Sequence, residues 1–186
     1  MTYQTPGIIL KQIDRGEADQ IFTIYTQKKG KILALGRGTK KIQSKLNSQL
    51  KSLAVIDLMI ASGRNYDHIA AAQIQRNFLK IGHDLKKIVL ASFALEIIDR
   101  LTKIGLRDEK IFFLLVKYFN VLDINQFNWA EWQMVKQAFT IKLLSLLGFT
   151  PSAEISQHAA KLANFLKYHL ESELGSEKLM AKLSLT

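Results

Sequence analysis

Ile21-Phe22-Thr23-Ile24-Tyr25-Thr26, Gln27-Lys28-Lys29-Gly30, Lys31-Ile32-Leu33-Ala34-Leu35: the reading of this stretch decides the fold. The first six residues are β-branched or aromatic, the last five are apolar after a leading lysine, and the four between end in glycine. Two strands joined by a short turn account for all three features. Working outward, Ile8-Ile9-Leu10 follows Pro6-Gly7, and the long apolar run Leu53 to Ile60 closes at Ser62-Gly63-Arg64-Asn65. A weaker fifth strand is predicted from His68 to Ile74. Turn residues at short, regular spacing point to a small barrel or sandwich. Five strands in about 75 residues match an OB-type barrel, whose face and loops bind single-stranded nucleic acid.

The period changes near Phe78. From Asp84 onward, Leu85, Ile88, Val89, Leu95, Leu101 and Ile104 recur at three- and four-residue steps, which predicts a helix ending near Gly105. A second helix follows Asp108. A third spans about Asn128 to Leu147 and stops at Gly148, with Pro151 beyond it. The fourth starts near Ser152 or Ser156, each a possible N-cap, and Gly175 is its expected terminator. The fold class is therefore α+β: an N-terminal five-stranded OB-fold β-barrel, residues 1–77, followed by a C-terminal α-helical bundle, residues 78–186.

Charge distinguishes the halves. The formal net charge is +10, and residues 1–80 carry thirteen cations against five acids, while residues 81–186 carry thirteen against eleven. Between Gln20 and Ile56 there are eight cations, Lys28, Lys29, Lys31, Arg37, Lys40, Lys41, Lys45 and Lys51, and no acid. Such a run repels itself unless a polyanion neutralises it, and nucleic acid is the commonest polyanion in a cell. The expectation is one surface on which all eight gather. Arg37 stands first among them, because Gly36 and Gly38 let a strand approach its guanidinium. Lys40, Lys41 and Lys45 read as a flexible rim loop, and Lys28, Lys29 and Lys31 flank a hairpin turn. Tyr3, Phe22, Tyr25 and Tyr66 are candidate stacking platforms, with Tyr25 facing opposite to Phe22.

Several classes are excluded. The chain has no cysteine, so disulfides and thiolate metal sites are ruled out. His68, His83, His158 and His169 form no HExxH pattern, and Gly36-Arg37-Gly38-Thr39-Lys40 lacks the order of a phosphate loop. No catalysis and no cofactor are expected. Met1 to Gly7 has no signal-peptide pattern, and Asp57 and Glu96 interrupt the longest apolar stretches, short of the roughly 18 residues that cross a bilayer. A cytoplasmic, nucleoid-associated protein without membrane contact is the expectation.

Several local strings carry a family resemblance. Gly7-Ile8-Ile9-Leu10-Lys11 precedes Gly16-Glu17-Ala18-Asp19-Gln20-Ile21, then come Thr23-Ile24-Tyr25-Thr26, Gly30-Lys31 and Arg37-Gly38. Leu90-Ala91-Ser92-Phe93 and Leu95-Glu96-Ile97-Ile98-Asp99 follow. Lys142-Leu143-Leu144, Leu146-Leu147-Gly148-Phe149 and Pro151 come next, and Lys167-Tyr168-His169-Leu170 with Glu173-Leu174 and Ser176 close the series. In this order they resemble the RecO family of bacterial recombination mediators over nearly the whole chain. Family members usually insert a module with four zinc-binding cysteines after the helix ending at Pro151. Only Ser152 to Gln157 stands there now, so a minimal version without metal is expected. The resemblance implies DNA repair through the RecF-type pathway: binding of single- and double-stranded DNA, strand annealing and assistance to recombinase loading. The implied partners are RecR and the acidic C-terminal tail of single-strand-binding protein, which would need an apolar pocket rimmed by cations from Lys103, Arg107, Lys110, Lys117 and Lys136. Trp129 and Trp132 share one side of the third helix. From residues alone, an RNA-binding OB module and an interaction scaffold with a basic face remain open.

Overall fold

The structure is a computed structural model and describes residues 1–170 and 174–183. Glu173 of the closing string lies outside the described residues. Five strands, β1 (Thr2–Arg15), β2 (Asp19–Thr26), β3 (Gly30–Gly36), β4 (Ala54–Ala61) and β5 (Asp67–Asn77), close into a barrel in the order β1-β2-β3-β5-β4. β1 serves two partners, pairing with β4 through Thr2–Gly7 and with β2 through Gly7–Arg15. Gly7 stands at the change of partner, where a Cβ would meet Leu58 at 2.7 Å and Ile24 at 2.8 Å. Ile9, Phe22, Ile24, Ile32, Ala34, Ile56, Leu58, Ile60 and Ile69 fill the interior. The five predicted strands are all present, and β1 and β5 are longer than their apolar cores suggested.

A short helix, α1 (Lys45–Gln49), lies in the β3–β4 connection that read as a flexible loop. Ser44 caps it by accepting from the Asn47 N–H. Leu50 joins the barrel core and Leu46 packs against it, while Ile42 of the same connection stays fully exposed.

The chain forms two compact units, Met1–Leu79 with Thr102–Phe113, and Lys80–Leu101 with Leu114–Thr186. In the first, β3 pairs in parallel with β5 through Ala34↔Asp67 and Leu35↔His68. Beyond those pairs β5 leaves the edge of β3, and the segment from Thr102 takes it over. Ile104 bridges to Lys31, and the Gly105 N–H donates to the Lys31 carbonyl at 2.8 Å. The first long helix, α2 (Leu85–Leu101), accordingly stops short of Gly105, because these residues hydrogen-bond to a strand instead of continuing a helix.

The second unit is helical. After α2 come α3 (Glu109–Ile124), α4 (Trp129–Leu146), α5 (Ala153–Gln157), α6 (Ala159–Leu170) and α7 (Gly175–Leu183). A capping box between Asn128 and Glu131 starts α4. Trp132 is buried against Phe127, with ring centroids 4.8 Å apart, and Tyr118 packs on Phe139 at 4.3 Å. The expected fourth helix is divided: Ser152 caps α5, and His158 takes extended backbone angles before α6 begins. Gly175 opens α7 instead of ending its predecessor. The reason is Glu96, whose carboxylate accepts from the Gly175 N–H at 3.0 Å and from the Ser176 N–H and hydroxyl at 3.0 and 2.7 Å. A carboxylate on those N–H groups makes a helix start there.

Candidate nucleic-acid interface

The connection after β3 is fastened to the β1–β2 turn. The Gly38 N–H donates to Asp19 at 2.8 Å, the Lys40 N–H to the Ala18 carbonyl at 3.0 Å, and Lys40 Nζ to Asp14 at 2.7 Å. Thr39 is buried beneath, its hydroxyl donating to the Gly36 carbonyl at 3.2 Å. Arg37 and Lys41 are thereby held outward and exposed, with Lys45 and Lys51 exposed further along the same connection. Lys40 and then Gln20 hydrogen-bond Asp14 and hold its carboxyl below the usual carboxylate range.

The eight cations do not share one surface. β2 and β3 pair from Gln20↔Gly36 to Thr26↔Gly30. Lys28 and Lys29, in the turn beyond Thr26, therefore lie at the far end of the hairpin from Arg37, a separation of about 20 Å at strand rise. Lys28 Nζ donates to the Gln4 carbonyl at 2.8 Å, and Lys29 Nζ sits 5.6 Å from the centroid of the Tyr3 ring.

Lys31 and Tyr25 belong to neither group. They face each other across β2–β3 on the outer side, where residues 104–108 cover them, and they are 8 % and 0 % exposed. The Tyr25 hydroxyl donates to the Asp108 carbonyl at 2.9 Å, and burial, then the Asp108 charge, pushes its pKa up. Neither side chain can meet a nucleic acid strand, which corrects both as contact candidates. Alternation did put Tyr25 opposite to Phe22. Phe22 is in the core, and the other face is the one the later segment covers.

Tyr3 and Tyr66 remain, and the fold brings them together. Where β5 leaves β3, an open groove of about 500 Å³ is lined by Ile32 and Leu33, by Ser62, Gly63, Asn65 and Asp67, and by Ile104 and Gly105. Tyr3, Lys29 and Tyr66 line it. The Tyr3 hydroxyl donates to Asp67 at 3.3 Å, and burial, followed by the Asp67 charge, pushes its pKa up to about 12, so it stays protonated. The Arg15 guanidinium lies 4.9 Å from the Tyr66 ring centroid. Contacts thus lead from Lys29 and Tyr3 across the groove to Tyr66 and Arg15. Asp14, next in sequence to Arg15, then pairs with Lys40. Arg15 carried no signal in the sequence, because its contact is 51 positions away.

Among the described residues no three histidine, aspartate or glutamate side chains gather as a metal would require. No helix among them is long and apolar enough to cross a membrane.

The barrel and the helices each match a family model. Residues 1–78 match that of the recombination protein O N-terminal domain, and residues 82–156 that of the C-terminal domain. The chain belongs to the RecO family. Curated relatives named DNA repair protein RecO include that of Clostridium perfringens, 33 % identical over 147 residues, which are 78 % of this chain and 58 % of the relative. That of Caldanaerobacter subterraneus is 30 % identical over 148 residues, 80 % and 59 % of the two chains. That of Pelotomaculum thermopropionicum is 28 % identical over 156 residues, 84 % and 59 %. The matched part therefore spans about 59 % of the length of these RecO relatives.

Proposed function

We propose that this RecO-family chain is a non-catalytic DNA-binding mediator of recombinational repair, which holds single- and double-stranded DNA, anneals complementary strands and assists recombinase loading onto strands coated with single-strand-binding protein. The observation that carries this reading is the clamp between the β1–β2 turn and residues 37–41, which presents Arg37 and Lys41 to solvent on an OB-type barrel. In such barrels the face of strands 2 and 3 and the β1–β2 and β4–β5 loops meet oligonucleotides, and with residues 104–108 over part of that face the loops are what is left open here. Here those loops carry Arg15 and Tyr66. Lys40, Lys45 and Lys51 on one side and Lys28 and Lys29 on the other extend the cationic track. Its span of about 20 Å would accommodate about six base pairs of duplex at 3.4 Å each, and fewer nucleotides of an extended single strand. Annealing follows from the same charge, since cations bound between two backbones reduce their mutual repulsion. The chain would act in the cytoplasm, at the nucleoid.

RecR and the acidic tail of single-strand-binding protein are the proposed protein partners. For the tail, Lys136 stands beside an apolar groove of the helical unit lined by Phe93, Leu162 and Leu166, and it pairs with Glu177 at 3.1 Å, so an acidic tail would have to take the place of that carboxylate. The test of the main reading is annealing of complementary strands coated with single-strand-binding protein. Arg37→Ala with Lys41→Ala should slow annealing about tenfold or more while leaving the unfolding temperature unchanged, since each lost phosphate contact also loses counterion release. Annealing at the rate of the unaltered chain would refute the assignment.

A further inference from the structure

The cations alone would not distinguish a single strand from a duplex. The groove beside them could. Of four aromatic candidates in the barrel, Phe22 and Tyr25 are sealed away, while Tyr3 and Tyr66 line one depression with Lys29 at its margin. Ile32, Leu33 and Ile104 in its lining are apolar, which suits the face of a base better than a phosphate. Asp67 fixes the Tyr3 ring through its hydroxyl and would repel a phosphate placed beside it. A paired base, stacked inside a duplex, cannot reach into such a depression.

We propose that this groove takes one unstacked nucleobase of a single strand, seated between Tyr3 and Tyr66, while Lys29 and Arg15 hold the phosphates on either side. Both cations now rest over the tyrosine rings, Lys29 on Tyr3 and Arg15 on Tyr66. When a strand arrives, each cation exchanges its ring for a phosphate, and the ring face becomes a stacking surface. Base–aromatic stacking is sequence-tolerant, since every base presents a π-face. The groove thus selects single strands without selecting their sequence. Tyr66 makes the contact, and Asp67 is a positioning residue that acts through Tyr3.

The proposal rests on the DNA-binding reading above, and an abasic strand separates the two. An abasic single strand keeps every phosphate and lacks every base. Anisotropy titrations of the full chain should show tighter binding to an ordinary strand than to an abasic one. Tyr66→Ala should weaken ordinary-strand binding roughly five- to hundred-fold and abasic-strand binding by much less, no more than the loss of the ring under Arg15 accounts for. Tyr66→Phe should restore the difference, because a phenyl ring stacks without the hydroxyl. Equal affinity for the two strands, or an equal loss on both with Tyr66→Ala, would overturn the groove and leave cation-mediated binding standing. Failure to bind either strand would remove the underlying reading and the groove with it. Asp67→Asn, which keeps a hydrogen-bonding group beside Tyr3, should leave ordinary-strand binding within about threefold. A loss as large as that of Tyr66→Ala would contradict its positioning role.

Discussion

At Gly30 the backbone adopts φ +67°, and a Cβ would lie 2.1 Å from the Leu106 carbonyl oxygen. Both facts forbid a side chain, the first through backbone strain and the second through collision with main chain that cannot swing aside. Glycine in the turn was legible in the sequence as the end of Gln27-Lys28-Lys29-Gly30. The reason for its necessity was not, because Leu106 is 76 positions away. Gly30→Ala should destabilise the protein by about 2 kcal/mol or more in urea-induced unfolding. A change near zero would mean that residues 102–113 are not held against the β2–β3 turn. Tyr25 and Lys31 carry the same lesson. Alternation put Tyr25 opposite to Phe22 and Lys31 was read as flanking the hairpin turn, yet the burial of both is decided by this segment, which no local pattern announces.

Helix ends, the next scale, show how a local signal can be overridden. Asn128 and Gly148 behave as their neighbours in sequence dictate, the first as an N-cap and the second just past the end of α4. Gly175 does not, because Glu96 reaches it from α2. Partial burial pushes the Glu96 carboxyl up, but hydrogen bonds from Ser176 and Gly175 and the Arg100 charge at 2.8 Å outweigh that and hold it below its usual value. The sign follows from a depressed carboxylate. Its contribution is fully present above the unfolded glutamate pKa, about 4.3, and is lost as pH falls through the lower folded value. Glu96→Gln should cost about 1–2 kcal/mol at neutral pH and flatten the acid limb of the stability curve, as measured by urea unfolding across pH. An acid limb identical to that of the unaltered protein would show that another carboxylate governs it. β1 illustrates the opposite case. Only Ile8 to Leu10 looks like a strand, yet pairing with β2 carries the strand on through Lys11 to Arg15, because the neighbour supplies the hydrogen bonds that composition does not promise.

Over the whole chain the decisive quantity is charge and where the fold distributes it. Arg37, Lys40, Lys41, Lys45 and Lys51 stand on one connection. If about five such contacts form, log K for a single strand should fall against log salt with a slope near −3.5. A slope near zero in titrations across salt concentration would remove phosphate binding from the account. By itself the sequence determined the fold class, since strand alternation, glycine turns and the shift to helical spacing are short-range consequences of side-chain shape and burial. It also determined that the positive charge belongs to the barrel, because composition alone fixes that. Only the tertiary structure decided which cations and rings stand together. β3 and β5 pair so briefly that a groove opens between them, a distant segment closes over Tyr25 and Lys31, and two tyrosines 63 positions apart come to line one depression. Contacts of that range depend on how the barrel closes on itself, and no window along the chain contains both partners.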